Sequence, residues 1–389
     1  MKLDKSTYIL ILLMITAQFW TIIPLSYIFN SQIIIFFILV WFLYGIIKYS
    51  GRNNDYRWQS KSKAIWWILF AVLFSFIPAW IFHGQSIIQS FITCRNLLTY
   101  LALPVLIYIN PTQYQFRKAI VVFALLTLIV MVFDSYGPIN FTTTKIRWGL
   151  DEPLKAHLPY LDEGEFLHGL LGTSMIMISC IFYMDDVLKG KKQSLLIVIF
   201  FFIALFLVQN RTMLGAIAVI FFYNLFFNKG SKASLKVLII FILCCLIIFS
   251  SEIWTALYEE TTNQLNNDDY NRFTSYYYFL FKASPNLFCQ IFGNGFLSDI
   301  VNNNSWNNAV LGIYNTDVGF VGMWNQFGVI PIIVFLYYIY KSFSLNKSFI
   351  TKSNALAILL CSPTKAYFVT PSMIMWPVIF FYLYYKSKD

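Results

Sequence analysis

Arg95, Arg211 and Arg272 are the residues of this sequence best suited to act on a phosphorylated molecule. A guanidinium is a planar fork that grips phosphate or pyrophosphate through paired hydrogen bonds, a geometry that a lysine ammonium lacks. Arg95 lies inside the apolar run Phe91-Ile92-Thr93-Cys94-Arg95-Asn96, and Arg211 in the polar tip Gln209-Asn210-Arg211-Thr212 between two apolar stretches. Arg272 heads an aromatic run that follows Asp268. Each has an ordinary alternative: an ion pair of Arg95 with Asp134 or Asp317, a solvated turn at Arg211, and a weak surface pair of Arg272 with Asp268. Asp317 opens another apolar stretch and could act as a general base if desolvation raised its proton affinity, or could merely complement a helix N-terminus. His168, one turn from Glu165, is a second candidate base, while His83 and His157 read as ordinary loop residues.

The elements that must carry these residues are greasy. Apolar residues make up 58% of the 389, aromatics 20% and charged residues only 12%, far from the near-even apolar share and quarter charge of soluble domains. Blocks long enough to cross hydrocarbon run approximately over residues 7 to 29, 32 to 48, 64 to 82, 86 to 109, 119 to 137 and 166 to 184. Six more cover approximately 194 to 209, 212 to 228, 236 to 253, 317 to 340, 353 to 369 and 372 to 385. The expected fold is therefore all-α, a single polytopic transmembrane bundle of about twelve helices spanning residues 1 to 389. The first block is long and has no cleavage site after it, so it reads as a retained anchor.

Charge sets the expected orientation, because lysine and arginine are retained on the cytoplasmic side. With both ends inside, the inner loops hold 20 basic and 5 acidic residues, while the membrane and outer loops hold 8 and 13. The inner cations are overwhelmingly lysine, whereas four of the other eight are arginine: Arg95, Arg147, Arg211 and Arg272. That bias points to selection for the guanidinium fork over bare charge. Short basic clusters between apolar blocks are topology signals, so the net charge of +10 does not imply nucleic acid.

Two expected outer segments exceed simple turns. Residues 138 to 165 end in Asp162, Glu163 and Glu165; residues 254 to 316 form a large loop between the ninth and tenth helices. Within the larger one, Arg272, Tyr276 and Phe279 share a face at helical spacing, which predicts a short helix resting on the membrane surface. Five of the six cysteines fall inside apolar blocks as buried residues would, Cys289 being the exception. No metal-ligand spacing, nucleotide-binding loop or internal repeat is visible.

Taken in order, several short motifs resemble the O-antigen polymerase (Wzy) and O-antigen ligase superfamily. They are Gln209-Asn210-Arg211-Thr212, Asn271-Arg272 ahead of an aromatic run, Phe292-Gly293-Asn294-Gly295-Phe296, and Tyr314-Asn315-Thr316-Asp317-Val318-Gly319-Phe320 followed by Gln326-Phe327-Gly328. The similar stretch covers roughly residues 195 to 340. The resemblance implies a metal-independent, cofactor-free glycosyltransferase of the bacterial inner membrane, its active site facing the periplasm or exterior. In such a polymerase a growing glycan leaves polyprenyl pyrophosphate and joins a lipid-linked repeat unit on the outer leaflet. Implied partners are that lipid-linked oligosaccharide, the bilayer, a chain-length regulator and a flippase.

On this basis Arg211, Arg272 and Asp317 are expected to be catalytic, with Arg95 assisting at the donor pyrophosphate. Tyr276 and Tyr277, with Tyr278 and Trp306, are expected to line a sugar groove, and Tyr314, Asn315 and His168 to contact substrate. Ligases of the superfamily carry a histidine where this chain has Tyr314-Asn315-Thr316-Asp317, a departure that favours polymerase over ligase. A flippase or transporter for the same lipid-linked sugars is the competing class; transporters place their charges near the midplane.

Overall fold

The computed structural model describes residues 4–17, 27–49, 62–136, 172–208, 211–227, 271–297, 318–345, 347–364, 367–368 and 373–387. Among these every regular element is helical and no strand occurs. The first half contains α1 (Lys5–Thr16), α2 (Tyr27–Tyr49), α3 (Lys63–Phe74), α4 (Phe76–His83), α5 (Ile87–Cys94), a 3-10 segment (Arg95–Leu101), α6 (Ala102–Ile109) and α7 (Gln113–Tyr136). The second contains α8 (Thr173–Leu188), α9 (Ser194–Leu207), α10 (Arg211–Phe227), α11 (Asn271–Phe281), α12 (Leu287–Phe292), α13 (Gly319–Phe327), α14 (Val329–Ser344), α15 (Phe349–Cys361) and α16 (Met375–Lys386).

Among the described residues three runs are long and apolar enough to cross a membrane: Lys63–His83, Ile87–Ile109 and Gln113–Phe133. At 1.5 Å per residue, about twenty residues span the roughly 30 Å of a hydrocarbon core. Several shorter apolar helices accompany them. Large apolar side chains point outward along these elements, among them Phe36, Leu43, Trp67, Trp80, Ile88, Ile129 and Leu196. Water does not tolerate so continuous an apolar surface, whereas lipid does. Inside this shell, α16 is the hub. Its side chains from Met375 to Tyr385 are all buried, and it packs on α6, α14, α15 and the 3-10 segment. Around the hub, α1 packs on α2 and α7, α8 on α7 and α9, and α15 on α8, α10 and α14.

Several expected spans are broken, each for a local reason. Pro78 has no N–H to give the carbonyl of Phe74, and the run splits at Ser75 into α3 and α4. Gly84, at φ 69°, caps α4, and the Ser86 hydroxyl accepts the Gln89 amide at 3.2 Å to start α5. The 86 to 109 block is helical throughout but tightens to a 3-10 turn from Arg95 to Leu101, upstream of Pro104. Such a mid-span stretch marks strain or function. The 317 to 340 block breaks at Gly328 (φ 74°), which separates α13 from α14. The 353 to 369 block stops at Cys361, not 369, because Ser362 precedes Pro363, whose ring disfavours helix in the residue before it. In the opposite sense, α7 starts six residues earlier than the expected 119, at Gln113. There the Thr112 hydroxyl accepts the Gln115 amide while the Gln115 side chain accepts the Thr112 amide, a reciprocal capping box.

The two chain ends meet. Lys5 Nζ donates to the carbonyl of Asn110 at 3.1 Å, and Lys386 Nζ to the Asn110 side chain at 2.6 Å. Lys347 lies over the Tyr384 ring at the same end, and Arg117, Lys189 and Lys191 surround Asp185 and Asp186 close by. These lysines thus collect at one end of the bundle. Residues 138 to 165 and most of 254 to 316 lie outside the described residues, apart from α11, α12 and the segment to Leu297.

Candidate functional site

The opposite end of the bundle is organised by a turn at Ser362–Thr364, in the middle of what the hydropathy reads as one helix. Three elements dock on it. Thr212, in the first turn of α10, places its hydroxyl 3.1 Å from that of Thr364, and its carbonyl accepts from the Cys361 thiol. The first turn of α13 gives the Phe320 amide to the Ser362 carbonyl at 2.9 Å. Gly319 makes this approach possible: a Cβ there would sit 1.6 Å from the Ser362 oxygen. On α11, the Tyr276 hydroxyl donates to the carbonyl of Pro363, and Phe279 is buried against Val318.

This geometry brings together the helices that carry two of the expected catalytic residues, Arg211 and Arg272. Arg211 is the first residue of α10, beside Thr212, and Arg272 is the second residue of α11, one turn before Tyr276 on the same face. The described atoms at both arginines are those of the backbone. Asp317 immediately precedes Val318 in the chain but lies outside the described residues, as do Tyr314, Asn315 and His168. Two helix N-termini, those of α10 and α13, open at this turn and bring their partial positive charge to it.

Two expected residues do not join the turn. Tyr277 faces away from it; its ring is mostly exposed and lies under the Lys282 ammonium at 5.1 Å. Adjacent helical residues diverge by about 100°, so Tyr276 and Tyr277 cannot both line one groove on this element. Arg95 opens the 3-10 segment; its Nη1 donates to the Ile92 carbonyl at 2.8 Å, and its buried Nε has no partner among the described residues. The neighbours of Arg95 belong to a second cluster.

That cluster is a joint between residues 290–295 and the end of α13. Asn294, only 2% exposed, donates its amide to the Asn325 carbonyl at 2.7 Å, and Gly295 donates to Gln326 at 2.9 Å. Trp324 Nε1 donates to the Gln290 carbonyl at 2.6 Å. The backbones approach so closely that a Cβ on Gly293 would fall 2.3 Å from the Gln326 oxygen, and one on Gly328 2.1 Å from that of Ile291. The Asn294 side chain donates to Ser284 Oγ and to the Asn325 carbonyl, so its oxygen must accept from His83 Nε2 at 3.0 Å. The Phe296 carbonyl then accepts from Thr93 and Gln85, which ties the joint to α5 two residues from Arg95.

His83 is therefore no ordinary loop residue, and Cys289, the one cysteine outside the apolar blocks, is buried in α12; burial pushes its thiol above the ordinary range. Helix α13 links the two clusters, its first turn on Ser362 and its last in the joint. Its 9 residues separate them by about 12 Å. Sequence reasoning missed the Ser362–Thr364 turn, although Ser-Pro inside an apolar run is a signal for it. No family model matches the chain, and no curated protein matches it.

Proposed function

We propose that the chain is a multi-pass membrane polysaccharide polymerase. It moves a growing glycan from polyprenyl pyrophosphate to a hydroxyl of a lipid-linked repeat unit, such as that of an O-antigen or capsule. One observation carries this reading. The first turn of α10 with Arg211, the α11 face with Arg272 and Tyr276, and the first turn of α13 after Asp317 all converge on the Ser362–Thr364 turn. The convergence lies at the bundle end opposite the lysines. With those lysines cytoplasmic, both termini are cytoplasmic and the turn faces the exterior, where flipped lipid-linked sugars are presented.

The chemistry follows from that placement. Arg211 and Arg272 bind the donor pyrophosphate, helped by the positive end of α10, and neutralise the charge that grows on it as the anomeric carbon–oxygen bond breaks. The acceptor hydroxyl forms the new glycosidic bond and passes its proton to Asp317. Polyprenyl pyrophosphate leaves. Lysine at position 211 or 272 keeps the charge but loses the fork, so Arg211→Lys or Arg272→Lys abolishes long polymer on a polysaccharide gel while the protein still inserts. Normal chain lengths in both variants would end this assignment.

A second reading has its own support. The 3-10 turn at Arg95 and the break at Gly328 are the discontinuous helices on which transporters build midplane sites. A flippase for the same lipid-linked sugars leaves repeat units in the inner leaflet when its gene is deleted, whereas loss of a polymerase leaves single units on the cell surface. The accessibility of those units to an external glycosidase separates the two.

A further inference from the structure

We propose that the groove between α3 and α14 is a binding site for an anionic phospholipid, its acyl chain lying along the helices and its headgroup held by Lys63 and Lys341. This inference does not rest on the polymerase reading. The groove has a volume of about 440 Å³ and is walled by Trp67, Ile330, Ile333, Val334 and Tyr337, with Lys63 at one end. A volume of several hundred Å³ is what a single small ligand occupies. Its walls open away from the bundle core, since Trp67, Ile333 and Tyr337 are all more than half exposed. Helix α3 begins one of the three runs able to cross a membrane, so the medium that meets these walls is lipid.

Two features make the site selective for charge. Lys341, one turn beyond Tyr337, lies over its ring at 5.7 Å from the centroid, so a second ammonium stands at the same end as Lys63. Among the described residues no carboxylate pairs with either lysine. Tyr338 adds a directed donor at the boundary between chain and headgroup. Its hydroxyl oxygen accepts from Tyr385 at 2.7 Å, which leaves its own O–H hydrogen to give to a lipid ester or phosphate oxygen. Acyl-chain walls, an ester-level donor and two cations thus follow one another in the order of a phospholipid. A second copy of the chain docked about a two-fold axis would instead bring lysine against lysine. A free phosphate would leave the apolar walls uncovered.

The test uses the full chain purified in detergent and equilibrated with equal amounts of phosphatidylglycerol and phosphatidylcholine, the retained lipids being counted by native mass spectrometry. Phosphatidylglycerol is expected to be enriched. The variant carrying both Lys63→Gln and Lys341→Gln should lose that enrichment by about fivefold for each lysine removed. Plugging the groove with Ile333→Trp, an outward-facing position, should reduce retention of both lipids. A control pair, Lys118→Gln with Lys192→Gln, removes two exposed lysines on α7 and beside α9 and should leave the enrichment unchanged. Equal retention of the two lipids by the unaltered chain would overturn the site. So would an equal loss in the control pair, which would assign the effect to diffuse charge.

Discussion

The two ends of the bundle handle charge in opposite ways. At the lysine end the carboxylates are answered: Arg117 meets Asp186 at 2.6 Å, Lys191 meets the same residue at 3.0 Å, and Lys189 meets Asp185. The Arg117 guanidinium also stacks 4.3 Å from the Tyr183 ring. At the other end the described contacts are not ion pairs. They are backbone groups, hydroxyls and amides held together by glycines that allow chains to touch. Paired charges fix one end in place and orient it; among the described residues, close backbone approach fixes the other. The contrast teaches that the second end owes its geometry to what its glycines leave out.

If that is right, the frame breaks at its glycines with the largest effect. Gly319→Ala places a methyl into the Ser362 carbonyl at a backbone angle of φ 46° that side chains rarely adopt. A loss of about 3 kcal/mol is expected, from overpacking and backbone strain together, visible as a large fall in the unfolding temperature of the purified protein. A tolerated alanine would mean that α13 does not dock on this turn. Next in size is Asn294→Ala, which removes the acceptor of His83 and the side-chain donor to Ser284, while the Asn325 carbonyl keeps the backbone amide of residue 294. Leaving buried groups unmet costs about 2 kcal/mol, and Asn294→Asp should not restore it, because a carboxylate cannot donate to Ser284.

The lysine end should respond more weakly and with a pH signature. Burial opposes ionisation of Asp186, but hydrogen bonds from Arg117 and Lys191 overcome it and hold the carboxyl below the usual range. A carboxylate lowered in the folded state stabilises fully above its unfolded value and loses that contribution as pH falls through the folded one. Asp186→Asn should therefore cost about 1 kcal/mol near neutrality. The difference should vanish as the pH drops from roughly 5 to below 3. A difference that persists in acid would assign the loss to packing instead of charge.

How much of this was legible in the sequence depends on what each feature is made of. Apolar length is compositional, so α10 was read to within a residue at each end. The break at Gly328 is not compositional. It is a backbone angle inside an unbroken apolar run, invisible to hydropathy, and it needs the facing chain at Ile291 to explain it. The joint likewise pairs His83 with Asn294, 211 residues apart, and no local pattern reveals such a partner. Arg211 and Arg272 stood out because their type departs from the lysine-rich background; the Ser362–Thr364 turn that gathers their helices was hidden inside an apolar block.

The smallest expected effect sharpens the comparison within the arginine end itself. Tyr276 and Tyr277 are neighbours of identical type on one helix, but only Tyr276 hydrogen-bonds the Pro363 carbonyl, while Tyr277 is exposed on the other side beneath Lys282. Tyr276→Phe removes one hydrogen bond and no packing. At about 1 kcal/mol it should slow the proposed polymer formation roughly fivefold, because α11 is then held less firmly against the turn. Tyr277→Phe keeps the aromatic face and its cation, so its rate should equal that of the parent. Equal effects in the two variants would mean that α11 acts through its surface and not through its grip on the turn, and the proposal that Arg272 works with Arg211 would fall.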